Sequence, residues 1–275
     1  MARVTVNVHV WFCPERAGDG PITPLRVAIT ALALGAIAGA QAHADQRETP
    51  VTVVELFTSQ SCYSCPPAEA YLGELAARDD IVALEYHVDY WDKLNYGSHG
   101  RWKDVWSKPE MTARQRDYNA ELRNTRSVYT PQMVVDGRSE AVGSREREVD
   151  NLITQARRDG APRVAVNLDR RAGSGLDISV SGAGGEKADV WLVTFVREHT
   201  TKVLRGENHG KSLTNHNIVR DIRRVGAWDG TAAGIAVEDL SLEDGQGCAV
   251  LVQDGATGPV LGAAYCPAGA GGAAS

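Results

Sequence analysis

The sequence has no basic run and no surplus of positive charge. Its 29 Lys and Arg residues are outnumbered by 35 Asp and Glu, giving a formal charge of −6. Such a chain offers little to a phosphate backbone, so nucleic-acid binding is not expected. Long apolar runs are equally scarce, and one segment alone is apolar enough to meet a membrane. No internal repeat recurs, and there is no Met- or His-rich tract of the kind used for metal handling. Cysteine is rare, with five residues in 275. What is present, 43% hydrophobic and 23% charged residues, is enough for one or two ordinary globular cores.

The apolar segment lies near the N-terminus. Arg26 precedes residues 27–40, which give way to Gln41-Ala-His-Ala-Asp45. A positive residue, a stretch of about 14 apolar residues and an Ala-x-Ala ending describe an export signal with cleavage near Ala44. The stretch is short against the roughly 20 residues of a membrane span; an uncleaved anchor is the alternative reading. Residues 1–22 precede the basic start and stay outside the fold reading. Cys13 leaves with the leader, so the mature chain keeps Cys62, Cys65, Cys248 and Cys266. An even number in an exported chain suits an oxidising compartment, and the protein is expected in the periplasm or secreted.

Residues 45–160 alternate strand and helix. Val51-Thr-Val-Val-Glu-Leu-Phe57 reads as a buried strand, followed by the polar Thr58-Ser-Gln-Ser-Cys-Tyr-Ser-Cys65 and by Pro66-Pro67. Prolines suit a first helical turn, and Ala68, Tyr71, Leu72, Leu75 and Ala76 then mark one helical face. Ile81-Val-Ala-Leu-Glu-Tyr-His-Val88 is a second strand, which completes a βαβ unit. An aromatic insertion over 90–110, a helix carrying Met111, Tyr118 and Leu122, two strands around Gly137 and a last helix complete the order βα-β-α-ββ-α. Residues 161–267 change texture, with strand-like segments and glycine-rich turns, interrupted by one helical segment over 217–225. The expected architecture is an α/β thioredoxin-like domain followed by a smaller, mostly antiparallel β-sandwich domain. A disordered Gly/Ala-rich tail is expected over 268–275.

Cys62-Tyr-Ser-Cys65 between a strand and a helix is a specific context. A helix N-terminus presents unpaired N–H groups and partial positive charge, which favour a thiolate. Cys62, nearer the loop and solvent, is expected to attack, and Cys65, one turn inside the helix, to resolve the mixed disulfide. No Lys, Arg or His lies between Thr58 and Ala68, so the helix terminus and neighbouring hydroxyls must do that work. A static local disulfide is the alternative, and a zinc site would need two further ligands. Cys248 and Cys266 end the arms of a predicted hairpin and are expected to form a structural disulfide. His87, Asp89 and Asp92 follow the second strand and should emerge near Cys62; the alternatives there are a copper or zinc site on His87 with Asp89 and a structural histidine.

These features resemble the thioredoxin-like superfamily, in which a cis Thr-Pro bond before the third core strand packs against the redox cysteines; the matching position is Thr130-Pro131. Through Val54-Glu-Leu-Phe-Thr-Ser-Gln60, Ser64-Cys-Pro-Pro67, His87-Val-Asp-Tyr-Trp-Asp92, Tyr129-Thr-Pro-Gln-Met-Val-Val-Asp-Gly137 and Arg205-Gly-Glu-Asn208, the chain is identified as a member of the DUF1223 family. The thioredoxin resemblance implies catalytic roles for Cys62, Cys65 and Pro131, with Glu55 as proton relay to Cys65. It also implies substrate contacts from Tyr63, Ser64, Thr130 and Trp91. The implied function is a periplasmic thiol–disulfide oxidoreductase acting on protein cysteines, without organic cofactor or metal, and reset by a membrane redox partner. The rivals are a metal-handling module using Cys62, Cys65 and His87, a chaperone-like peptide binder using the aromatic wall, and a structural envelope protein without turnover.

Overall fold

The β-branched run after residue 51 forms strand β1, Thr52–Thr58, buried along its whole length. Pro66 and Pro67 open helix α1, Pro66–Ala76, and the second apolar run forms β2, Ile81–His87, parallel to β1. Two short 3-10 turns and a long loop lead to α2, Pro109–Arg123. A hairpin of β3, Gln132–Val135, and β4, Ser139–Val142, then leads to α3, Glu146–Arg158. The remaining strands are β5, Ala165–Arg170; β6, Leu176–Ser181; β7, Ala188–Lys202; β8, Ser212–Trp228; β9, Ala233–Val237; β10, Gln246–Gln253; and β11, Val260–Tyr265. The computed structural model describes residues 51–159, 164–171, 173–182 and 187–267; the leader expected over 1–44 and the tail over 268–275 lie outside them. Among the described residues, no helix is long and apolar enough to cross a membrane.

The expected fold, a thioredoxin-like α/β domain followed by a separate β-sandwich, is not what the chain forms. Eight strands make one mixed sheet in the order β11-β10-β7-β8-β2-β1-β3-β4, and β5-β6-β9 make a second, three-stranded sheet. The join is the parallel pairing of β2 with β8, at Glu85 opposite Ile218. Strands from both halves of the chain therefore share one hydrogen-bonded layer, and strand outweighs helix among the described residues. A run buried on both faces announces a strand but not the neighbour on its free edge, so this join is invisible to local pattern.

The segment 217–225 is strand, not helix. Trp191 faces Arg224 while Val190 faces Gly226, and Phe195 faces Val219 while Thr194 faces Asp221. Val225 and Arg220 are thus the extra residues of two β-bulges in β8. Each bulge shifts the alternation by one. Ile218, Val219, Ile222 and Val225 thereby acquire the three- and four-residue spacing of an amphipathic helix.

The large sheet separates three apolar clusters. Val54 and Leu56 of β1 pack with Leu72 and Leu75 of α1 and Val149 and Ile153 of α3 on one face. On that same face, Val190, Leu192, Val250 and Val252 pack against Leu176, Ile178 and Val180 of the small sheet. Val53, Phe57, Tyr86, Phe195 and Leu251 occupy the opposite face with Tyr118 of α2. Burial of each large side chain contributes about 1.5–3 kcal/mol.

Candidate functional site

The cysteine turn grows out of the end of β1. The Cys62 N–H donates to the Ser59 carbonyl at 2.9 Å, and the Cys65 N–H to the Cys62 carbonyl at 3.2 Å. Cys65 is the N-cap of α1, with proline in the first helical turn. The two sulfurs are bonded to each other, with Cα atoms 5.4 Å apart. Both cysteines are wholly buried, at 0% exposure. This overturns the expectation that Cys62 faces solvent. Tyr63, 66% exposed, and Ser64 are what the turn presents outward, with Ser64 Oγ 3.4 Å from Cys62 Sγ.

The connection between β7 and β8 packs onto the cysteine turn. Asn208, fully buried, donates from Nδ2 to the carbonyls of Gln60 and Cys62, each at 2.9 Å. Glu207 Oε2 accepts the Tyr63 N–H at 2.9 Å. Lys211 Nζ donates to Asn208 Oδ1 and sits 4.2 Å from the centre of the Tyr63 ring. Gly206 has φ +79°, and a Cβ there would come 3.0 Å from Trp102 Cβ and 3.6 Å from Ser61 Oγ. A side chain at that position would meet both strained backbone and crowding. The same insertion braces the turn from the side, through Trp102 Nε1 to Gln60 Oε1 and Ser61 Oγ to the Trp102 carbonyl.

Beneath the turn, on the α1 face of the sheet, lies a buried polar floor. Thr58 Oγ1 donates to Glu69 Oε1 at 2.6 Å. Glu69 stands four residues after Cys65, one helical turn along the same face. Burial, and then the nearby Glu85 carboxylate, push its carboxyl up to about 8 from an ordinary 4.5, against the pull of the Thr58 hydroxyl. His87 bridges Asp104 Oδ2 at 2.7 Å through Nδ1 and Glu85 Oε1 at 3.2 Å through Nε2. Burial alone would press this imidazole toward the neutral form, but Asp104 and Glu85 outweigh it and hold it cationic, well above its ordinary value. Burial likewise opposes charge on Asp104. The His87 cation and the N–H groups of Gln60 and Trp106 win, and keep its carboxyl below the usual range. Glu85 also accepts from Asn215 Nδ2 at 2.6 Å and from the His216 N–H at 2.9 Å, so β8 helps build the floor.

The other expected residues are distributed differently. Glu55 is buried on the opposite face, paired with Arg114 at 2.8 Å and accepting from the Tyr118 hydroxyl. The sheet therefore separates it from Cys65, and it is not placed to relay a proton there. The Thr130–Pro131 bond is cis. Pro131 is buried, and its carbonyl already accepts the Gly143 N–H at 3.0 Å. Trp91 Nε1 donates to Thr130 Oγ1 at 2.8 Å, which ties the aromatic insertion to that segment. Asp92 holds Ser107 and the Asp104 N–H, while Asp89 holds Thr112 of α2. Outside the expected set, His209 stacks on His99 with ring centres 5.0 Å apart, and His216 lies 3.5 Å from Glu198. Cys248 and Cys266 are bonded to each other inside the apolar cluster between the sheets.

Sequence reasoning passed over Glu69, Glu85 and Asp104, and took Asn208 as part of a family run without a role at the cysteines. Glu69 was within reach, because its four-residue offset from Cys65 is a helical signal. Asn208 contacts a turn 146 residues away, and no local pattern encodes that distance.

The site can be set beside known proteins. A search of curated proteins finds no match to this chain. Among solved structures, the crystal structure of an Agrobacterium tumefaciens protein is similar, with 31% identity and a TM-score of 0.67 over 83% of this chain and 99% of the other. The family model described as "Protein of unknown function (DUF1223)" matches residues 53–253, a span that includes the cysteine turn, its floor and its cover. The chain belongs to the DUF1223 family.

Proposed function

We propose that this protein is an exported thiol–disulfide exchange protein acting on the cysteines of other proteins. The observation that carries the reading is the Cys62–Cys65 bond seated at the N-terminus of α1 over a buried, protonatable carboxyl, Glu69. The order of strand, C-x-x-C turn and helix, with the turn closing the end of β1 and Cys65 capping α1, supports it.

In the oxidising direction a substrate thiolate attacks Cys62 Sγ, the Cys62–Cys65 bond breaks and Cys65 leaves as a thiolate. The Glu69 carboxyl, one turn away, supplies its proton. A second substrate thiolate then attacks the mixed disulfide at the substrate sulfur. Cys62 is released, and the substrate is oxidised by two electrons as the protein is reduced by two. A membrane-borne redox partner that accepts those two electrons and re-forms the Cys62–Cys65 bond completes the cycle. Both His87 nitrogens are engaged by the buried carboxylates of Asp104 and Glu85, which argues against its serving as a copper or zinc ligand beside the cysteines.

A second reading, a static cross-link in a structural envelope protein, is favoured by the complete burial of both sulfurs. Redox titration against glutathione buffers, with alkylation of Cys62 and Cys65, separates the two. Exchange predicts a potential above about −250 mV, and transfer to a reduced test protein that is lost in Cys62→Ser. A value far below about −300 mV with no transfer supports the static bond.

A further inference from the structure

The cover over the disulfide is fastened by polar contacts rather than by apolar packing. Residues 204–211 leave the β7–β8 ribbon as a closed loop: the Val203 N–H donates to the Lys211 carbonyl and the Gly210 N–H to the Val203 carbonyl, each at 2.9 Å. Leu204 is 58% exposed, and Arg205, Glu207 and His209 are also on the surface, so little apolar area holds the loop down. It is attached by four hydrogen bonds, two from Asn208 to the Gln60 and Cys62 carbonyls, one from the Tyr63 N–H to Glu207 and one from the Gly206 N–H to the His99 carbonyl, and by the ring contacts of His209 with His99 and of Lys211 with Tyr63. Asn208 spends both of its amide hydrogens on the cysteine turn, and its oxygen on Lys211.

A surface loop held by a few hydrogen bonds opens at far lower free energy than the sheet that carries it. As it stands, neither sulfur has any exposed surface for an attacking thiolate. We propose that residues 204–211 are a lid latched over Cys62–Cys65 by Asn208, and that a thiol reaches Cys62 only in the lid-open state. Asn208 is on this account a positioning residue, acting through the backbone of the turn. The inference rests on the exchange reading for its purpose, but not for its test.

The test uses the full mature chain with both disulfides formed. Dithiothreitol is added without denaturant, the reaction is quenched by alkylation, and each cysteine pair is followed by mass spectrometry. One dithiothreitol thiolate attacks Cys62 Sγ, and Cys65 departs and takes a proton from Glu69 or solvent. The second dithiothreitol thiol then closes the cyclic disulfide and frees Cys62, so reagent and protein exchange two electrons. Reduction of Cys62–Cys65 is expected to run at least about tenfold slower than in an unstructured peptide spanning residues 58–69. Asn208→Asp keeps the shape but removes both donors and sets a carboxylate against two carbonyls; it is expected to recover about tenfold or more of that rate. Reduction of Cys248–Cys266 should not change.

Glu207 is exposed, so Glu207→Gln tests the latch without touching a buried position; about a threefold acceleration is expected. The lid is overturned if the wild-type bond reacts as fast as the peptide, if both variants leave its rate unchanged, or if both disulfides accelerate together. A protein that behaves as expected here yet never exchanges with a protein thiol keeps the lid and loses the exchange reading. Rapid protein exchange with peptide-like reduction does the reverse.

Discussion

Strand β1 carries a buried acid environment on each face, and the two handle their charge in different ways. On the α2 face, Glu55 is paired with Arg114, held by Nε at 2.9 Å and Nη2 at 3.1 Å and closed off by Tyr118 and Gln253. Burial would weaken the Arg114 cation, but the Glu55 carboxylate more than restores it. On the α1 face, Glu69 has no guanidinium or ammonium partner among the described residues. Its charge is instead suppressed by a proton, which burial and Glu85 hold in place. A guanidinium is a permanent cation, whereas a proton that suppresses a charge can be released. The first arrangement stiffens the sheet, and the second lies under the cysteines and suits chemistry.

The contrast is broken most forcefully at Arg114. Arg114→Met leaves the Glu55 carboxylate buried without its cation and is expected to cost about 3–5 kcal/mol in denaturant unfolding. Under native conditions the Cys62–Cys65 potential should stay where it was, because that site lies across the sheet. A shifted potential would mean the faces are coupled.

Glu69→Gln addresses the other side through pH. The folded carboxyl titrates near 8 and the unfolded one near 4.5, so between those values the native state binds a proton that the unfolded state lacks. The associated stability is complete below about pH 4.5 and is lost as pH rises toward 8. The Gln variant is therefore expected to exceed the wild type by on the order of 2 kcal/mol at pH 8.5, with the gap closing toward pH 5. His87 has a raised value and the same sign of dependence, so the variant flattens the slope without abolishing it. Equal slopes in parallel melts of the two proteins would refute the proton-held carboxyl.

The smallest effect belongs to Tyr63, whose side chain is outside both environments. Tyr63→Ala should move stability by no more than about 0.5 kcal/mol in the same unfolding assay, and a larger loss would give the Lys211 contact structural weight.

The strands β1 and β2, helix α1 and the C-x-x-C turn were legible because their signals are local: β-branched runs, prolines in a first turn and apolar spacing along one face. The choice of Glu55 as proton relay failed on parity. Thr58 points to α1, and an odd offset of three sends Glu55 to the face of Val53 and Phe57. That count was available in the sequence, and so was the four-residue step from Cys65 to Glu69. The pairing of β2 with β8 and the reach of Asn208 to Cys62 were not available, because both depend on which distant segments meet. The bulges in β8 actively misled, since an inserted residue turns a two-residue period into something close to a helical one.

The ribbon of β7 and β8 has one end in the core beside Trp228 and the other over Cys62. A chain cut before this ribbon would keep the C-x-x-C motif and lose the ceiling above it. It would also strip Glu85 of two of its three donors, those from Asn215 and His216. The redox motif is therefore not a portable cassette. Its walls come from segments 146 residues apart, and grafting residues 51–159 elsewhere would transplant the sulfurs without their room.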